Sequence, residues 1–221
     1  WWIVNMSDAI DNIFDQAVAL LDKEFANGIG LRNTRLKNYS AESLEKTSEF
    51  ILKMIVNELS KKYPTCVIEH SKSYLTPDKK GYSKERMDQH IKINNEYVLL
   101  QEDRAWVDKP FYSLKRSVIT CIMKTCKKQL YKNVKFIFMG YCLDYKQEIV
   151  NTCDYALDHG DRILTYSLTG RQRGKKINGK SVNWYETGYD KDTIRSYIQD
   201  VYQILEDAIQ NGPKENNSLF R

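Results

Sequence analysis

Apolar residues recur at helical spacing near both ends of the chain. Residues 7–25 and 192–209 repeat them three or four positions apart, which predicts two amphipathic helices. A third helix is predicted to begin at Ser40, whose side chain suits an N-cap, and to run to about Lys62. Pro64 then closes it, because proline does not continue a helix.

Short apolar runs between these helices indicate strands. They lie near residues 65–69, 86–93, 97–106, 135–140 and 163–168. Residues 113–128 have the pattern of a further amphipathic helix. The succession of a helix, three strands, a helix and a strand over residues 40–142 predicts an α/β fold. The length of 221 residues, without an internal repeat, predicts a single domain over residues 1–221. Residues 143–221 are expected to add further sheet, a basic loop and the C-terminal helix.

Charge is distributed unevenly around a net value of +5. Residues 104–135 contain nine Lys or Arg and one acid, residues 171–180 contain five Lys or Arg and no acid, and residues 8–24 contain five acids and one lysine. A basic middle with an acidic N-terminal flank suits a polyanionic partner such as nucleic acid. The alternative interpretation is that these runs are solvated faces of helices and hairpins.

The cysteines and histidines point away from a zinc protein. Five cysteines form no CxxC pair, and the three histidines have no ligand spacing. An odd number of unpaired cysteines is typical of a reducing compartment, so we expect a cytoplasmic protein. No apolar run has membrane-spanning length and no signal-peptide pattern is present, so we expect no membrane partner.

The predicted hairpin in the middle of the chain has the chemistry of a metal site. Asp88 opens its first strand, and Glu102 and Arg104 stand two positions apart at the end of its second. Two carboxylates supply the hard oxygen ligands of a divalent metal, and the cation can stabilise charge on a phosphate. Because side chains alternate along a strand, Glu102 and Arg104 are predicted to share a face, opposite to Gln101 and Asp103.

The register of this hairpin decides whether the two acids can meet. A three-residue turn at residues 94–96 would put Asp88 opposite Glu102 on the same face. A two-residue turn at Asn94 and Asn95 would put Gln101 opposite Asp88 instead, unless a β-bulge restored the pairing. The sequence leaves both registers open.

The order of elements over residues 40–142, with Asp88 on one strand and Glu102-Asp103-Arg104 on the next, resembles the PD-(D/E)XK nuclease core. Most Type II restriction endonucleases belong to this family. The resemblance implies a restriction-endonuclease-like core, a central mixed sheet flanked by helices. It also implies that Asp88 and Glu102 bind Mg²⁺, which activates the water that attacks the phosphodiester. Arg104 stands where the family usually has lysine, and would stabilise charge on the scissile phosphate.

The same resemblance implies a site-specific endonuclease of double-stranded DNA, acting as a homodimer with one subunit for each strand of a palindromic site. Arg104 cannot serve as a general base because arginine stays protonated, so Lys92 and Lys109 are candidate substitutes. The DNA is expected to contact basic residues of the hairpin and of both basic runs: Lys92, Lys109, Lys115, Arg116, Arg171, Arg173, Lys175 and Lys176.

Two other interpretations of the same core remain open. One is a repair or junction-resolving nuclease. The other is a catalytically inert DNA-binding protein, which the arginine at position 104 makes worth stating. Two acids of the second helix, Glu45 and Glu49, are predicted to lie on a solvated face, and His70 and His90 are predicted to have structural roles.

Overall fold

A computed structural model of the chain describes residues 6–26, 34–72, 88–107, 134–143, 163–168, 176–177, 180–181 and 189–212. Within these ranges the description covers only the backbone of residues 34–42, 104–107, 141–143, 176–177 and 180–181. The predicted helix at residues 113–128 lies outside the described residues.

Three long helices are described: α1 (Met6–Ala26), α2 (Thr34–Lys62) and α3 (Lys191–Asn211). The predictions of α1 and α3 are confirmed, because each has one apolar stripe that packs into the core. Asp190 caps α3 by accepting a hydrogen bond of 3.0 Å from the main-chain N–H of Asp192.

The prediction that Ser40 caps the second helix was wrong. The helix already begins at Thr34, so Ser40 lies within its second turn. No proline or glycine occurs between residues 34 and 62, and Arg35, Leu36 and Lys37 are good helix formers. The helix therefore extends past the serine towards its N-terminus.

Five strands form one mixed sheet in the order of their numbers: β1 (Ile68–Ser71), β2 (Gln89–Ile93), β3 (Glu96–Val107), β4 (Lys135–Leu143) and β5 (Ile163–Ser167). The pairs β1–β2 and β2–β3 are antiparallel, and β3–β4 and β4–β5 are parallel. Two short strands, β6 (Lys176–Ile177) and β7 (Lys180–Ser181), pair separately. The predicted α/β class, with a central mixed sheet flanked by helices, is confirmed at this level.

Strand β1 begins three residues later than predicted. Residues 64–66 form a turn in which the main-chain N–H of Cys66 donates to the carbonyl oxygen of Tyr63 at 3.0 Å. Strand pairing with β2 therefore starts only at Ile68.

The helices pack on one face of the sheet. Helix α2 contacts β1 and β3, helix α3 contacts β3 and β5, and α1 packs against both α2 and α3. The apolar core on this side includes Leu99 of β3, Ile137 and Met139 of β4, Ile55 of α2 and Ile198 of α3. Burying each of these side chains contributes about 1.5–3 kcal/mol.

The opposite face of the sheet is also buried near its centre. Leu100 of β3 and Phe136 and Phe138 of β4 are fully buried, and alternation along the strands directs them away from the helices. Glu102 pairs with Phe138 and shares this orientation. The acidic side chain of Glu102 therefore lies on the same face as the large apolar residues Leu100, Phe136 and Phe138.

A two-residue turn at Asn94 and Asn95 joins β2 to β3. Both residues have positive φ (50° and 69°), which is the conformation of the hairpin turn whose twist matches the flanking strands. Asparagine adopts this region more readily than most residues. The side chain of Asn94 also accepts a hydrogen bond of 3.1 Å from the main-chain N–H of Val67.

A β-bulge in β3 then changes the register of the hairpin. Lys92 pairs with Tyr97 but Ile91 pairs with Leu99, so Val98 is the extra residue. Val98 and Leu99 both belong to the core on the helix side, as expected where a bulge turns two successive side chains the same way. Beyond the bulge Gln89 pairs with Gln101.

Among the described residues, no helix combines the length and the apolar character that crossing a membrane requires.

Candidate functional site

The β-bulge brings the two predicted acids into corresponding positions on neighbouring strands. The ladder ends with the pair Gln89–Gln101, and Asp88 lies one residue before the start of β2. Continuing the same register by one residue puts Asp88 across from Glu102. The turn has two residues and the bulge compensates for it, so the register, continued in this way, is the one that opposes the acids. Glu102 is 6% exposed, and Asp88 is partly buried.

The carboxylate of Asp88 is held by the main chain of the next strand. Its Oδ2 accepts a hydrogen bond of 2.8 Å from the main-chain N–H of Asp103. This bond uses one of the roughly four lone-pair sites of the carboxylate. This main-chain donor is a rigid support, because the residues of β3 before and after Asp103 are paired with β4.

A buried polar network lies on the other face of the same strands, beneath the helices. Ser48 of α2 donates to Oδ2 of Asp103 at 2.5 Å, and Gln101 Nε2 donates to Asp103 Oδ1 at 2.7 Å. Tyr197 of α3 donates its hydroxyl to Oε1 of Gln101 at 2.8 Å. All four side chains are buried, with Asp103 only 5% exposed.

The network continues towards β1. Gln89 Nε2 lies 3.4 Å from both Ser48 Oγ and the carbonyl oxygen of Glu45, which are long contacts. The Nε2–H of His70 donates to Gln89 Oε1 at 2.8 Å. Two helices and three strands therefore meet through one connected set of polar side chains.

Burial dominates the electrostatics of Asp103. Burial, together with the negative charge of Asp88, raises the pKa of this carboxyl to about 7, although the hydrogen bonds from Ser48 and Gln101 act to lower it. A carboxyl with such a pKa is half protonated near neutral pH, and it faces away from the side of the sheet that carries Glu102.

Sequence reasoning assigned Gln101 and Asp103 to the face opposite to Glu102 but did not recognise a network there. A signal was present: Gln89, Gln101 and Asp103 are polar residues at strand positions that face the core. The donor that completes it, Ser48, is 55 residues away in the sequence. No local pattern indicates which serine of α2 that would be.

Two further side chains share the face of Asp88. Alternation along β2 orients His90 and Lys92 to this side, and both contact Tyr97. The His90 ring is 5.5 Å from the Tyr97 ring, and Lys92 Nζ is 4.5 Å from its centroid. Lys92 is four residues from Asp88, roughly 13 Å along an extended strand. Its ammonium therefore packs on Tyr97 rather than beside the acids.

His90 is buried and carries no charge at neutral pH. Burial, together with the charges of Lys92 and His70, lowers its pKa to about 4. Its Nδ1 is the one buried side-chain nitrogen or oxygen of the described residues that has no hydrogen-bond partner. Burial also lowers the pKa of His70, against the effect of the hydrogen bond that His70 donates to Gln89, which raises it.

The two acids of α2 are only partly exposed. Glu49 forms ion pairs of 2.7 Å with Lys53 and Lys72, and these cations hold its pKa below the usual value against the opposing effect of burial. Glu45 contributes its carbonyl oxygen to Gln89 and Ser48. The prediction of a fully solvated face is therefore too simple for this part of α2.

Several predicted site residues have no described side chain. Arg104 lies in β3 two positions beyond Glu102, and Lys176 begins β6, but only their backbones are described. The other basic candidates lie outside the described residues: Lys109, Lys115, Arg116, Arg171, Arg173 and Lys175. Within the described part of the chain, no three His, Cys, Asp or Glu side chains are grouped closely enough to hold a metal ion by themselves.

A groove in the described region lies remote from the acids. Its volume is about 500 Å³ and it runs between α1 and α3, past Asp11, Arg195 and Asp200. Arg195 pairs with Asp11 and stacks over the Phe14 ring at 4.0 Å. These contacts join the two helices, and the groove shares no residue with the hairpin.

Comparison with known proteins gives no match to a family model, to a curated protein or to a solved structure.

Proposed function

We propose that the chain is a Mg²⁺-dependent endonuclease that cleaves double-stranded DNA, with Asp88 and Glu102 as its metal-binding residues. One observation supports this above the others: the bulge at Val98 shifts the ladder so that it ends with Gln89 opposite Gln101, and the same register continued by one residue opposes Asp88 to Glu102. Without it, the two-residue turn at Asn94 and Asn95 would oppose Asp88 to Gln101.

The donor set suits Mg²⁺. Proteins bind this ion through one or two carboxylates together with waters and substrate phosphates, so a third protein ligand is not required. Asp88 can supply a carboxylate oxygen, because the hydrogen bond from the main chain of Asp103 uses only one of its roughly four lone-pair sites. When bound, Mg²⁺ supplies Lewis-acid activation of water and neutralises charge on the phosphate.

The remaining roles belong to the protein itself. The peptide N–H of Asp103 orients Asp88, and the burial of Glu102 limits its hydration. Arg104, two positions after Glu102 in β3, is proposed to stabilise charge on the scissile phosphate. A fixed cation of this kind contributes to the rate through its charge and transfers no proton. Arginine suits this role because it stays protonated.

We propose that the sheet is a restriction-endonuclease-like core within a homodimer that cuts at specific sites. The succession α2, β1, β2 and β3, followed by a parallel β4, supports this core. The two basic runs support a DNA partner. A repair or junction-resolving nuclease could use the same core, and so could an inert DNA-binding protein.

The test is incubation of the purified protein with phage DNA in Mg²⁺ and, separately, in EDTA. Discrete fragments in Mg²⁺ alone support site-specific cleavage. A smear identifies a nonspecific nuclease, and cleavage only of branched substrates identifies a junction-resolving enzyme. Intact DNA under all conditions, with a mobility shift of the duplex, supports the inert DNA-binding protein and contradicts the nuclease.

A further inference from the structure

The residues adjacent to the acid pair form the polar network beneath the helices. Gln89 follows Asp88 in sequence, and Gln101 and Asp103 stand on either side of Glu102. All three neighbours are buried and contact the helix side of the sheet. Because side chains alternate, anchoring a residue on one face fixes the peptide that carries its neighbour on the other.

Ser48 is the centre of this arrangement. Its Oγ is 2.5 Å from Asp103 Oδ2 and 3.4 Å from Gln89 Nε2, so one hydroxyl of α2 contacts side chains of both β2 and β3. It also lies 3.1 Å from the carbonyl oxygen of Glu45. The hydroxyl has one hydrogen to donate and two lone pairs to accept with. At any moment it can therefore donate to Asp103 or to the carbonyl oxygen of Glu45, but not to both.

A second anchor comes from α3. Tyr197 donates to Gln101, which in turn donates to Asp103 at 2.7 Å. The Asp103 side chain is thus held from two helices, by Ser48 directly and by Tyr197 through Gln101. The same residue donates its main-chain N–H to Asp88 Oδ2.

We infer that Ser48 and Asp103 are positioning residues, which fix the β3 peptide that orients the Asp88 carboxylate. Their role in cleavage rests on the proposed function. The hydrogen bond between Ser48 and Asp103 does not, because it joins two side chains of the chain itself.

The expected size of the effect follows from other metal sites. Removing a group that orients a metal-binding side chain typically costs 10–100-fold in metal affinity or activity. We expect Ser48→Ala to weaken Ca²⁺ binding and to slow Mg²⁺-dependent cleavage within this range. Ca²⁺ is the probe because it takes the same oxygen ligands.

Thr47→Val is the matched control. Thr47 is the adjacent buried hydroxyl residue of α2, and its Oγ1 donates to the carbonyl oxygen of Ser43 in its own helix at 2.9 Å. This variant loses a buried hydroxyl next to Ser48 without touching the network. Tyr197→Phe is a second test variant, which weakens the anchor from α3 while keeping the aromatic ring.

The deciding measurement is hydrogen exchange of the Asp103 amide in the metal-free protein, with the amides of Leu99 and Leu100 in the same strand as reference. In Ser48→Ala we expect the Asp103 amide to exchange at least about tenfold faster than in the wild type, while the reference amides do not change. Thr47→Val should leave all three at wild-type rates. A uniform rise in the three rates would mean that Ser48 only stabilises the fold, and would overturn the inference.

The activity measurements separate this inference from the proposed function. If the wild type cleaves DNA and Ser48→Ala matches Thr47→Val in exchange, Ca²⁺ affinity and rate, the inference is wrong and the nuclease stands. If the wild type neither binds Ca²⁺ nor cleaves but the Asp103 amide responds, the nuclease is wrong and the positioning of Asp88 stands. If neither cleavage nor a specific amide response is found, both are overturned.

Discussion

The main-chain N–H of Asp103 in β3 donates a hydrogen bond of 2.8 Å to Oδ2 of Asp88, the residue just before β2. The side chain of Asp103 is directed to the other face, where Ser48 and Gln101 hold it. One residue therefore links the acid pair on one side of the sheet to the helices on the other. A change at Asp103 is therefore expected to affect the Asp88 carboxylate.

The first prediction concerns pH. The folded-state pKa of Asp103 is about 7 against an ordinary value of 3.8, so the folded state binds the proton more tightly than the unfolded state does. The stabilisation is complete below pH 3.8 and is lost as the pH rises through 7. Asparagine does not ionise, so Asp103→Asn removes this loss. The unfolding free energy of Asp103→Asn relative to that of the wild type should therefore rise by a few kcal/mol between pH 4 and pH 8, on the order of 1.4 kcal/mol per pKa unit.

Urea unfolding at intervals between pH 4 and pH 8 measures this difference. A difference between Asp103→Asn and the wild type that stays constant from pH 4 to pH 8 would mean that the Asp103 carboxyl is ionised throughout this range.

The second prediction compares two tyrosine hydroxyls. Tyr197→Phe leaves the buried Oε1 of Gln101 without its donor and should cost about 1–3 kcal/mol of unfolding free energy. Tyr166→Phe removes a hydroxyl that donates to the exposed Asp200 at 2.6 Å. Water can replace that donor, so the cost should be smaller. Equal costs in urea unfolding would show that burial of the acceptor does not matter here.

The third prediction concerns the hairpin turn. Asn95 has a φ of 69°, which a β-branched residue adopts only with strain. Asn95→Val should lower the unfolding free energy by about 1–2 kcal/mol, whereas Asn95→Gly should be nearly neutral. Both are measured by urea unfolding, and an unchanged stability of Asn95→Val would argue against the positive φ.

The fourth prediction concerns DNA affinity. If the basic loop at residues 171–180 binds phosphates, Lys175→Ala and Lys176→Ala should weaken binding to all duplexes. The slope of log affinity against log salt concentration should fall by about one unit per lost contact. Arg171→Ala and Arg173→Ala should instead reduce discrimination between the cleaved site and a single mismatch by about 1–3 kcal/mol.

Titrations at several salt concentrations, with the mapped site and with scrambled duplexes, measure these effects. Lys61→Ala at the exposed end of α2 is the control for loss of one surface charge. Wild-type affinity, slope and discrimination in all four loop variants would identify the loop as a solvated hairpin.

Local periodicity was sufficient to predict the helices α1 and α3 and the strands of the hairpin. Each has a pattern that repeats over its own length, and α3 has a capping residue at Asp190. The start of α2 was missed because serine is one of the residue types that most often cap a helix, which made Ser40 the predicted cap. A cap requires that the preceding residues leave the helix, and they do not.

The register at the site could not be read from the sequence. The Asn94-Asn95 turn indicates a two-residue hairpin, which taken alone separates Asp88 from Glu102. The bulge at Val98 reverses that outcome, and it follows from packing both Val98 and Leu99 into the helix-side core. The partner of Asp103 was unpredictable for a related reason, since Ser48 reaches it through tertiary packing alone.

The most direct test of the proposed site compares Asp88→Asn and Glu102→Gln with Glu96→Gln in Mg²⁺-dependent cleavage of phage DNA. Glu96 is an exposed acid at the start of the same strand as Glu102 and is the matched control. We expect both site variants to lose cleavage, by a factor on the order of 10² or more, while they keep their fold and still bind DNA in Ca²⁺. Glu96→Gln should cleave at the wild-type rate. Cleavage by folded Asp88→Asn or Glu102→Gln at the wild-type rate would contradict the proposed site.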